Sequence, residues 1–156
     1  PMTAESNARL GLLKQGLSRM AEELSRKGIG IIFQTANPFM REANCTPDMA
    51  KRQWFHLTDS PICNYYSRDY SIERRKPLHD VLVDVEQSYS NFHVLDLYSV
   101  LCPESECRFY DDKGVFLYRD IWSHLGVEAN QLSQDLLIAV VDQAVSAGTF
   151  HDTTEQ

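Results

Sequence analysis

The stretch "IGIIFQTANP", Ile29 to Pro38, decides the fold class of this chain. It is a largely apolar run that ends in the turn-forming pair Asn37–Pro38. Such a run is typical of a strand that is buried on both faces. Strands of this kind belong to parallel sheets covered by helices, so the run favours an α/β fold.

The segment before this strand predicts a helix. Its apolar residues recur at alternating steps of three and four, which draws one stripe along a helix; they are Leu10, Leu13, Leu17, Met20 and Leu24. Thr3 or Ser6 can cap the start, and Gly28 can end the helix in a left-handed conformation. A helix that leads directly into a buried strand indicates α/β layering.

A second helix and a second strand follow farther along the chain. The helix is predicted at about Ser71 to Ser88, with Pro77 near its first turn. The run "FHVLDLYSVL", Phe92 to Leu101, is a second buried strand. Two parallel strands joined by a crossover make one βαβ unit. Because a stable doubly wound sheet generally has more strands, we expect the sheet to be incomplete at its N-terminal side.

The remaining segments predict a loop, a hairpin and a last helix. Residues 38–70 have no steady period and are predicted as a long surface loop. The run "RFYDDKGVFLY" predicts a hairpin that turns at 112–114. The last helix is expected from about Val127 to Ala147, and residues 149–156 are expected to fray. Its core-facing residues are predicted to be Leu132, Leu136, Leu137, Val140, Val141 and Ala144.

The four cysteines favour two local disulfides, Cys45–Cys63 and Cys102–Cys107. None of them forms a C-x-x-C pair, so the usual zinc-ribbon and thioredoxin spacings are absent. Each bridge would staple a polar stretch that contains proline, and disulfides imply a periplasmic or exterior location. Two other readings stay open: four reduced thiols in a cytosolic protein and, less favoured, a metal site built from all four thiolates.

The length and the net charge of the chain limit the functions that it can have. A chain of 156 residues predicts one domain. Its net charge of -7 argues against a nucleic-acid partner, because phosphate binding needs clustered basic residues. The one basic cluster, "ERRKP" at 73–77, is interpreted as a solvated helix start. No apolar run approaches the length of a membrane helix. His56, His79 and His93 lack metal-ligand spacing, so we expect no metal ion.

The run "FLYRDIWSHLG", residues 116–126, carries the candidate catalytic groups Asp120 and His124. In a Ser/His/Asp site the histidine takes the proton of the nucleophile, and the aspartate fixes the orientation of the ring. Chemistry in open α/β sheets gathers in loops such as this one. The spacing alone is typical of a chance pair, and the neighbouring Trp122 is a candidate wall of an acyl pocket.

The longer run from Phe92 to Leu137 resembles the closing part of the SGNH-hydrolase-like domain fused to membrane acyltransferases of the acyltransferase-3 type. That domain closes with a strand holding a buried aspartate, two cysteines, a glycine turn and an "lY-x-D-x-x-H-L" motif. The counterparts in this chain are Asp96, Leu101-Cys102, Cys107, Gly114, Leu117-Tyr118, Asp120 and His124-Leu125. The front half is also similar, with a helix, a strand ending in proline and a loop with two spaced cysteines.

The resemblance implies a fold and an activity. The fold would be a three-layer SGNH or flavodoxin-like parallel sheet flanked by helices over residues 1–148, with a stapled loop at 38–70 and a hairpin and catalytic loop at 102–125. The activity would be acetyl transfer, without a cofactor, from an acyl donor to a glycan acceptor such as lipopolysaccharide. His124 would act as general base and then acid, and Asp120 or a nearby carboxylate would orient it. The parent protein would be anchored in the bacterial inner membrane, with this part in the periplasm.

The chain departs from the family pattern in three places. Three residues rather than two separate Asp120 from His124, and Gly126 follows the leucine immediately. No G-D-S block is present; the nearest imitation, Thr58-Asp59-Ser60, lies in the cysteine loop without a preceding strand or elbow glycine. We therefore expect the nucleophilic serine to lie upstream of this chain, and the chain alone to be inactive.

Two alternatives to a transferase follow. A carbohydrate esterase would use the same residues, with water replacing the sugar hydroxyl. A non-catalytic module derived from the fold would bind glycan or scaffold a partner, and the altered spacing in "DIWSH" points that way. A sheet that lacks its first strands would also expose an edge through which a homodimer could form.

Overall fold

The computed structural model describes residues 3–38, 65–119 and 124–147. Contacts divide the chain into two compact units. Unit 1 holds the segments up to Thr35, Lys76–Leu95 and from Leu136 onward, and unit 2 holds the described parts of Ala36–Arg75 and Asp96–Asp135.

The described residues form both helices and strands. The helices are α1 (Ala4–Ser25), α2 (Arg68–Ser88), α3 (Tyr98–Leu101), α4 (Val127–Leu132) and α5 (Gln134–Ala147). The strands are β1 (Ile31–Gln34), β2 (Tyr65–Ser67), β3 (Phe92–Leu95) and β4 (Glu106–Arg108). None of these helices is both long and apolar enough to cross a membrane.

Unit 1 contains the predicted parallel strand pair. β1 and β3 run parallel, with Ile31 opposite Phe92 and Gln34 opposite Leu95, and α2 lies in the connection between them. The core beside this pair is apolar; it is formed by Leu17, Ala21, Leu82, Val85 and Phe92. The side-chain amide of Asn91 donates to the carbonyl oxygens of Ala21 and Ile29, both at 3.0 Å. The small parallel sheet of the α/β prediction is therefore present.

Both strands of this pair differ in detail from the prediction. β1 alternates between half-buried and exposed residues, and Ile32 is 36% exposed, so the expectation of burial on both faces is wrong for β1. β3 ends at Leu95 rather than continuing to Leu101. The reason is local, because an Asp96 carboxylate oxygen accepts the backbone N–H of Tyr98 at 3.1 Å and turns the chain into α3.

The helix predictions are confirmed at the front of the chain and wrong in part farther on. The Thr3 hydroxyl caps α1 by accepting the N–H of Ser6 at 3.1 Å, and Gly28 takes a φ of 68°. α2 starts earlier than predicted, at Arg68, so that Pro77 lies inside the helix instead of near its first turn.

The predicted last helix is two helices, α4 and α5, which meet at Ser133. Because of this break, the apolar residues do not form the single stripe that one continuous helix predicts. Val140 and Ala144 are buried, whereas three residues predicted to face the core are exposed: Leu132 at 48%, Leu137 at 44% and Val141 at 38%.

Unit 2 contains an antiparallel pair that the sequence did not indicate. β2 pairs with β4, Tyr65 opposite Arg108, so residues 65–70 belong to a strand and to the start of α2 and not to a loop. The Cys102–Cys107 disulfide joins the end of α3 to β4, as predicted. Residues 39–64, with the predicted Cys45–Cys63 bridge, and the tail 149–156 lie outside the described residues.

The predicted hairpin turn is also confirmed in unit 2. A carboxylate oxygen of Asp111 accepts the backbone N–H groups of Lys113 and Val115, at 2.9 and 2.7 Å. Gly114 takes a φ of 77°, a left-handed conformation that glycine adopts without steric cost. The side-chain contacts of Asp111 and the freedom of Gly114 therefore fix the reversal of the chain.

Candidate active site

His124 lies at the base of a short loop that its backbone helps to close. Its carbonyl oxygen accepts the N–H of Arg119 at 2.7 Å, and Tyr118 and Leu125 form an antiparallel bridge beside this bond. The N–H of Gly126 donates to the carbonyl oxygen of Leu117, also at 2.7 Å. These contacts, which we call the closing ladder, position both ends of the loop that carries the candidate catalytic residues.

Gly126 allows the two sides of the closing ladder to approach closely. A Cβ atom at this position would lie 3.2 Å from the carbonyl oxygen of Leu117, which is tighter than most contacts of that kind. Gly126 is also the residue before α4 and makes no side-chain cap. The glycine that departs from the family spacing thus has a structural role, because it lets the helix start directly behind the ladder.

The imidazole of His124 is exposed to solvent. Residues directly opposite in an antiparallel ladder project to the same face, so His124 shares its face with Arg119, which is also exposed. A histidine in this position can be reached by a substrate and by a nucleophile from another segment. Asp120 and Trp122 lie outside the described residues, so the aspartate as the orienting group and the tryptophan as a pocket wall stay predictions.

Tyr118 anchors the closing ladder from its opposite face. Its side chain is 2% exposed and packs edge-on against Phe109 and Phe116, with ring centroids 6.1 and 6.2 Å away. Burial raises the pKa of the Tyr118 hydroxyl well above its usual range, and the nearby Tyr98 adds to this shift. No hydrogen-bond partner for this hydroxyl is found in the part of the chain that the structure describes. The ring therefore anchors the ladder by packing.

A charged network follows the carboxyl end of β3. The guanidinium of Arg75 donates two parallel hydrogen bonds to the Asp96 carboxylate, at 2.9 and 2.8 Å, and stacks 3.6 Å from the ring centre of Tyr98. The Tyr98 hydroxyl in turn shares a 2.7 Å hydrogen bond with Ser71. Both oxygens of Asp96 accept hydrogen bonds from Arg75. This carboxylate therefore has a structural role and is a poor candidate for the acid beside His124.

Sequence reasoning missed this network. The side chain of Arg75 is only 11% exposed, so the interpretation of "ERRKP" as a wholly solvated helix start is wrong for this residue. One signal was available, since an aspartate placed directly after a buried strand requires a partner for its charge. Lys76, the next residue, does lie at the surface, where its ammonium pairs with Asp80.

The described residues contain no cluster of three or more His, Cys, Asp or Glu side chains that could hold a metal ion. The arrangement at the closing ladder instead offers one exposed imidazole on a fixed backbone. Such a group can take a proton from a hydroxyl and return it, provided that a nucleophile is brought within hydrogen-bond distance.

Comparison with known families identifies the family of this chain. The family model described as "SGNH domain (fused to AT3 domains)" matches residues 3–139, which is most of the chain. The match includes all of unit 2 with the closing ladder, and most of unit 1. The chain matches no curated protein and no solved structure.

Proposed function

This chain belongs to the SGNH-domain family fused to AT3 domains, and on that premise we propose that it supplies the acid–base half of an O-acyltransfer site. The parent protein carries an acyltransferase-3 membrane domain, and this module would help to move an acetyl group onto a glycan hydroxyl. His124 would be the general base and acid, and Asp120 its orienting carboxylate. No metal ion or organic cofactor is needed for this chemistry.

The observation that supports the proposal most is the placement of His124. Its ring is exposed on a loop whose ends are held by two 2.7 Å backbone hydrogen bonds. A general base must be accessible and also held in one place, because proton transfer requires a short and repeatable contact. An exposed histidine on an unpaired loop would meet only the first condition.

The proposed reaction has two balanced steps. His124 first takes the proton of a serine hydroxyl while the serine oxygen attacks the acyl carbonyl of the donor. The imidazolium then gives that proton to the leaving group, which leaves an acyl-serine. In the second step His124 deprotonates the sugar hydroxyl that attacks the acyl-serine, and the serine oxygen recovers the proton as the ester of the sugar departs.

We place the serine upstream of this chain. The sequence contains no G-D-S block, and its nearest imitation, Thr58-Asp59-Ser60, has threonine in place of the glycine. Among the described residues β1 pairs with β3 alone, so its other edge carries no partner strand. Parallel sheets in proteins are normally covered and extended by further strands. An upstream strand that ends in the serine would add to this edge.

We also propose a periplasmic location. Cys102 and Cys107 form a disulfide and are both fully buried, which suits an oxidising compartment. The lipopolysaccharide acceptor and the inner-membrane anchor of the parent protein belong to the same proposal, because they depend on the acyltransferase-3 partner domain.

A second candidate is a non-catalytic module that binds glycan or a partner protein. The observation that favours it is the additional residue between Asp120 and His124, which can turn the carboxylate away from the ring. An esterase remains the hydrolytic version of the first proposal, with water in place of the sugar.

The test compares ester turnover by the complete parent protein and its variants. We expect His124→Gln to lower the turnover of p-nitrophenyl acetate by a factor of about 100 or more, the usual contribution of a general base. The matched control is His79→Gln, which alters a histidine on α2 whose Nδ1 has no described partner and should leave the rate unchanged.

Equal rates for the parent protein and His124→Gln would remove His124 from catalysis and favour the non-catalytic module. The 156-residue chain alone should show no turnover. Robust turnover by this chain would refute the upstream position of the serine.

A further inference from the structure

Unit 2 contains a cleft that the proposed acyl-transfer chemistry does not use. Its volume is about 210 Å³, and it lies where α3, β4, the hairpin turn and α4 meet. This is smaller than the roughly 300 to 1,000 Å³ of sites for drug-sized ligands. A single ring with its substituents is therefore the size of ligand to consider.

One wall of the cleft is apolar, and its inner residues are fixed. It is formed by Leu101, Leu117 and Leu132, together with Pro103 inside the Cys102–Cys107 loop. Leu101 and Leu117 are almost fully buried, so their side chains belong to the core of unit 2 and cannot swing away. An apolar surface of this kind accepts the C–H face of a ring, and its rigidity lowers the entropy that binding costs.

The opposite rim of the cleft is polar and carries donors and acceptors side by side. Arg108 pairs with Asp112 at 2.6 Å, and both side chains are accessible to solvent. The ammonium of Lys113 has no ion-pair partner within the described ranges. The carboxylate of Asp111 is engaged with the backbone of the turn, which holds Lys113 in place.

The charges of the rim define the class of ligand. Two cations, Arg108 and Lys113, balance two anions, Asp111 and Asp112, so the rim has no net charge. The whole chain carries a charge of -7, which disfavours a polyanion. A hydroxyl group both donates and accepts hydrogen bonds, and a set of hydroxyls on one ring can satisfy alternating cations and carboxylates.

We infer that this cleft is a binding subsite for a neutral, hydroxyl-rich ring, namely one sugar residue of a glycan. Its C–H face would pack against the leucine wall, and its hydroxyls would donate to Asp112 and accept from Lys113 and Arg108. The inference deepens the proposed function and rests on it for the role of the sugar as part of the acceptor. The cleft would then hold one sugar of the acceptor glycan.

The test is a nuclear magnetic resonance titration of the 15N-labelled chain with methyl α-glucoside, methyl α-rhamnoside and N-acetylglucosamine. We expect saturable shifts for at least one sugar at the backbone amides of Leu101, Lys113 and Leu117. Cyclohexanol, a ring with a single hydroxyl, is the comparison ligand and should produce no saturable shifts there. Failure of all three sugars to saturate, or equal shifts with cyclohexanol, would overturn the inference.

Two matched variants test the polar rim. Asp112→Asn removes the carboxylate of the exposed Arg108–Asp112 ion pair, whose residues are four apart at the cleft. Asp80→Asn removes the carboxylate of the Lys76–Asp80 ion pair on α2, which is also exposed and has the same spacing. We expect Asp112→Asn to weaken sugar binding at least about tenfold, the effect of losing a hydrogen bond to a charged group. Asp80→Asn should bind as the unchanged chain does. Equal affinity in both variants would remove the rim from recognition.

The cleft and the proposed function can fail separately. Absence of sugar binding, together with a large loss of turnover in His124→Gln, would overturn only the cleft. Sugar binding in the cleft with unchanged turnover in His124→Gln would overturn the acyltransfer role and leave a glycan-binding module.

Discussion

At the scale of single residues, two buried tyrosines of unit 2 differ in what their hydroxyls do. The Tyr98 hydroxyl shares a 2.7 Å hydrogen bond with the buried Ser71. The Tyr118 hydroxyl is buried and makes no hydrogen bond to any described residue. A buried polar group without a partner costs free energy, whereas a paired group contributes about 1 kcal/mol. The same chemical deletion should therefore have opposite consequences at the two positions.

We expect Tyr98→Phe to lower the free energy of unfolding by about 1 to 2 kcal/mol, because Ser71 loses its partner in a buried position. Tyr118→Phe should leave it unchanged or raise it by a few tenths of a kcal/mol. Urea denaturation followed by circular dichroism measures both values. An equal loss in the two variants would show that the Tyr118 hydroxyl has a stabilising partner, such as a buried water molecule.

The raised pKa of Tyr118 also predicts how the stability of the chain changes at alkaline pH. Burial raises the pKa of Tyr118 in the folded chain above the value near 10 that the unfolded chain keeps. Above pH 10 the unfolded state binds fewer protons than the folded state, so stability is fully present below pH 10 and falls as the pH rises toward the folded pKa. The slope approaches about 1.4 kcal/mol per pH unit for one such group.

Tyr118→Phe removes this group, so we expect its advantage over the unchanged chain to grow by about 1 kcal/mol between pH 8 and pH 11. Urea denaturation at pH 8, 10 and 11 gives the comparison. Parallel loss of stability in both proteins across this range would mean that Tyr118 ionises as readily when folded as when unfolded. Tyr98, whose pKa is also raised by burial, remains in both proteins, so its own titration contributes to the stability of each.

At the scale of elements, the sequence predicted what short-range patterns determine. The Thr3 cap, the left-handed Gly28, the hairpin turn at 112–114 and the Cys102–Cys107 bridge each depend on residues close together in the chain, and the structure contains all four. The parallel pair of β1 and β3 was also predicted, because two apolar runs separated by a helix favour a crossover.

Elements held by distant partners were not predictable in the same way. β2 has only three residues, too few to show a period, and it exists because β4 pairs with it from the far end of α2 and β3. The break at Ser133 interrupts a continuous helical pattern without a glycine or proline to mark it. The stripe of leucines and valines that follows therefore predicted more burial than α5 has.

The same distinction between local and distant contacts applies to the candidate site. Asp120 and His124 were selected from a motif that also contains Tyr118 and Leu125, but the ladder that these two residues form became visible only in the structure. The Arg75–Asp96 pair and the cleft beside Pro103 bring together side chains that are far apart in sequence. Only the fold shows that Arg75 is buried and that Lys113 faces the same cleft as Leu132.

At the scale of the whole molecule, the two compact units differ in what stabilises them. Unit 1 has an apolar core around Phe92 and a parallel strand pair. Unit 2 has short strands, a charged network and the Cys102–Cys107 bridge. The bridge lies within unit 2, where it joins the end of α3 to β4, so we expect these segments to depend on it more than unit 1 does.

This difference predicts a localised effect of removing the bridge. In the chain-entropy model a closed loop of six residues contributes about 2 kcal/mol, so the double variant Cys102→Ala/Cys107→Ala should be less stable by about that amount. Both sulfur atoms are fully buried, and alanine leaves no polar group behind. Amide hydrogen exchange should accelerate at β4 and along the hairpin to Tyr118, because these segments open when the link to α3 is lost.

The control lies in the same molecule. The amides of β3 and of α1 around Leu17 belong to unit 1, and we expect their exchange to keep the protection that they have in the unchanged chain. A uniform increase of exchange through both units would show that the chain opens as one cooperative body, since local opening leaves the rest of a structure protected. In that case the closing ladder beside His124 would take its order from the core of unit 1 as much as from the disulfide, and loss of the bridge would not isolate the site.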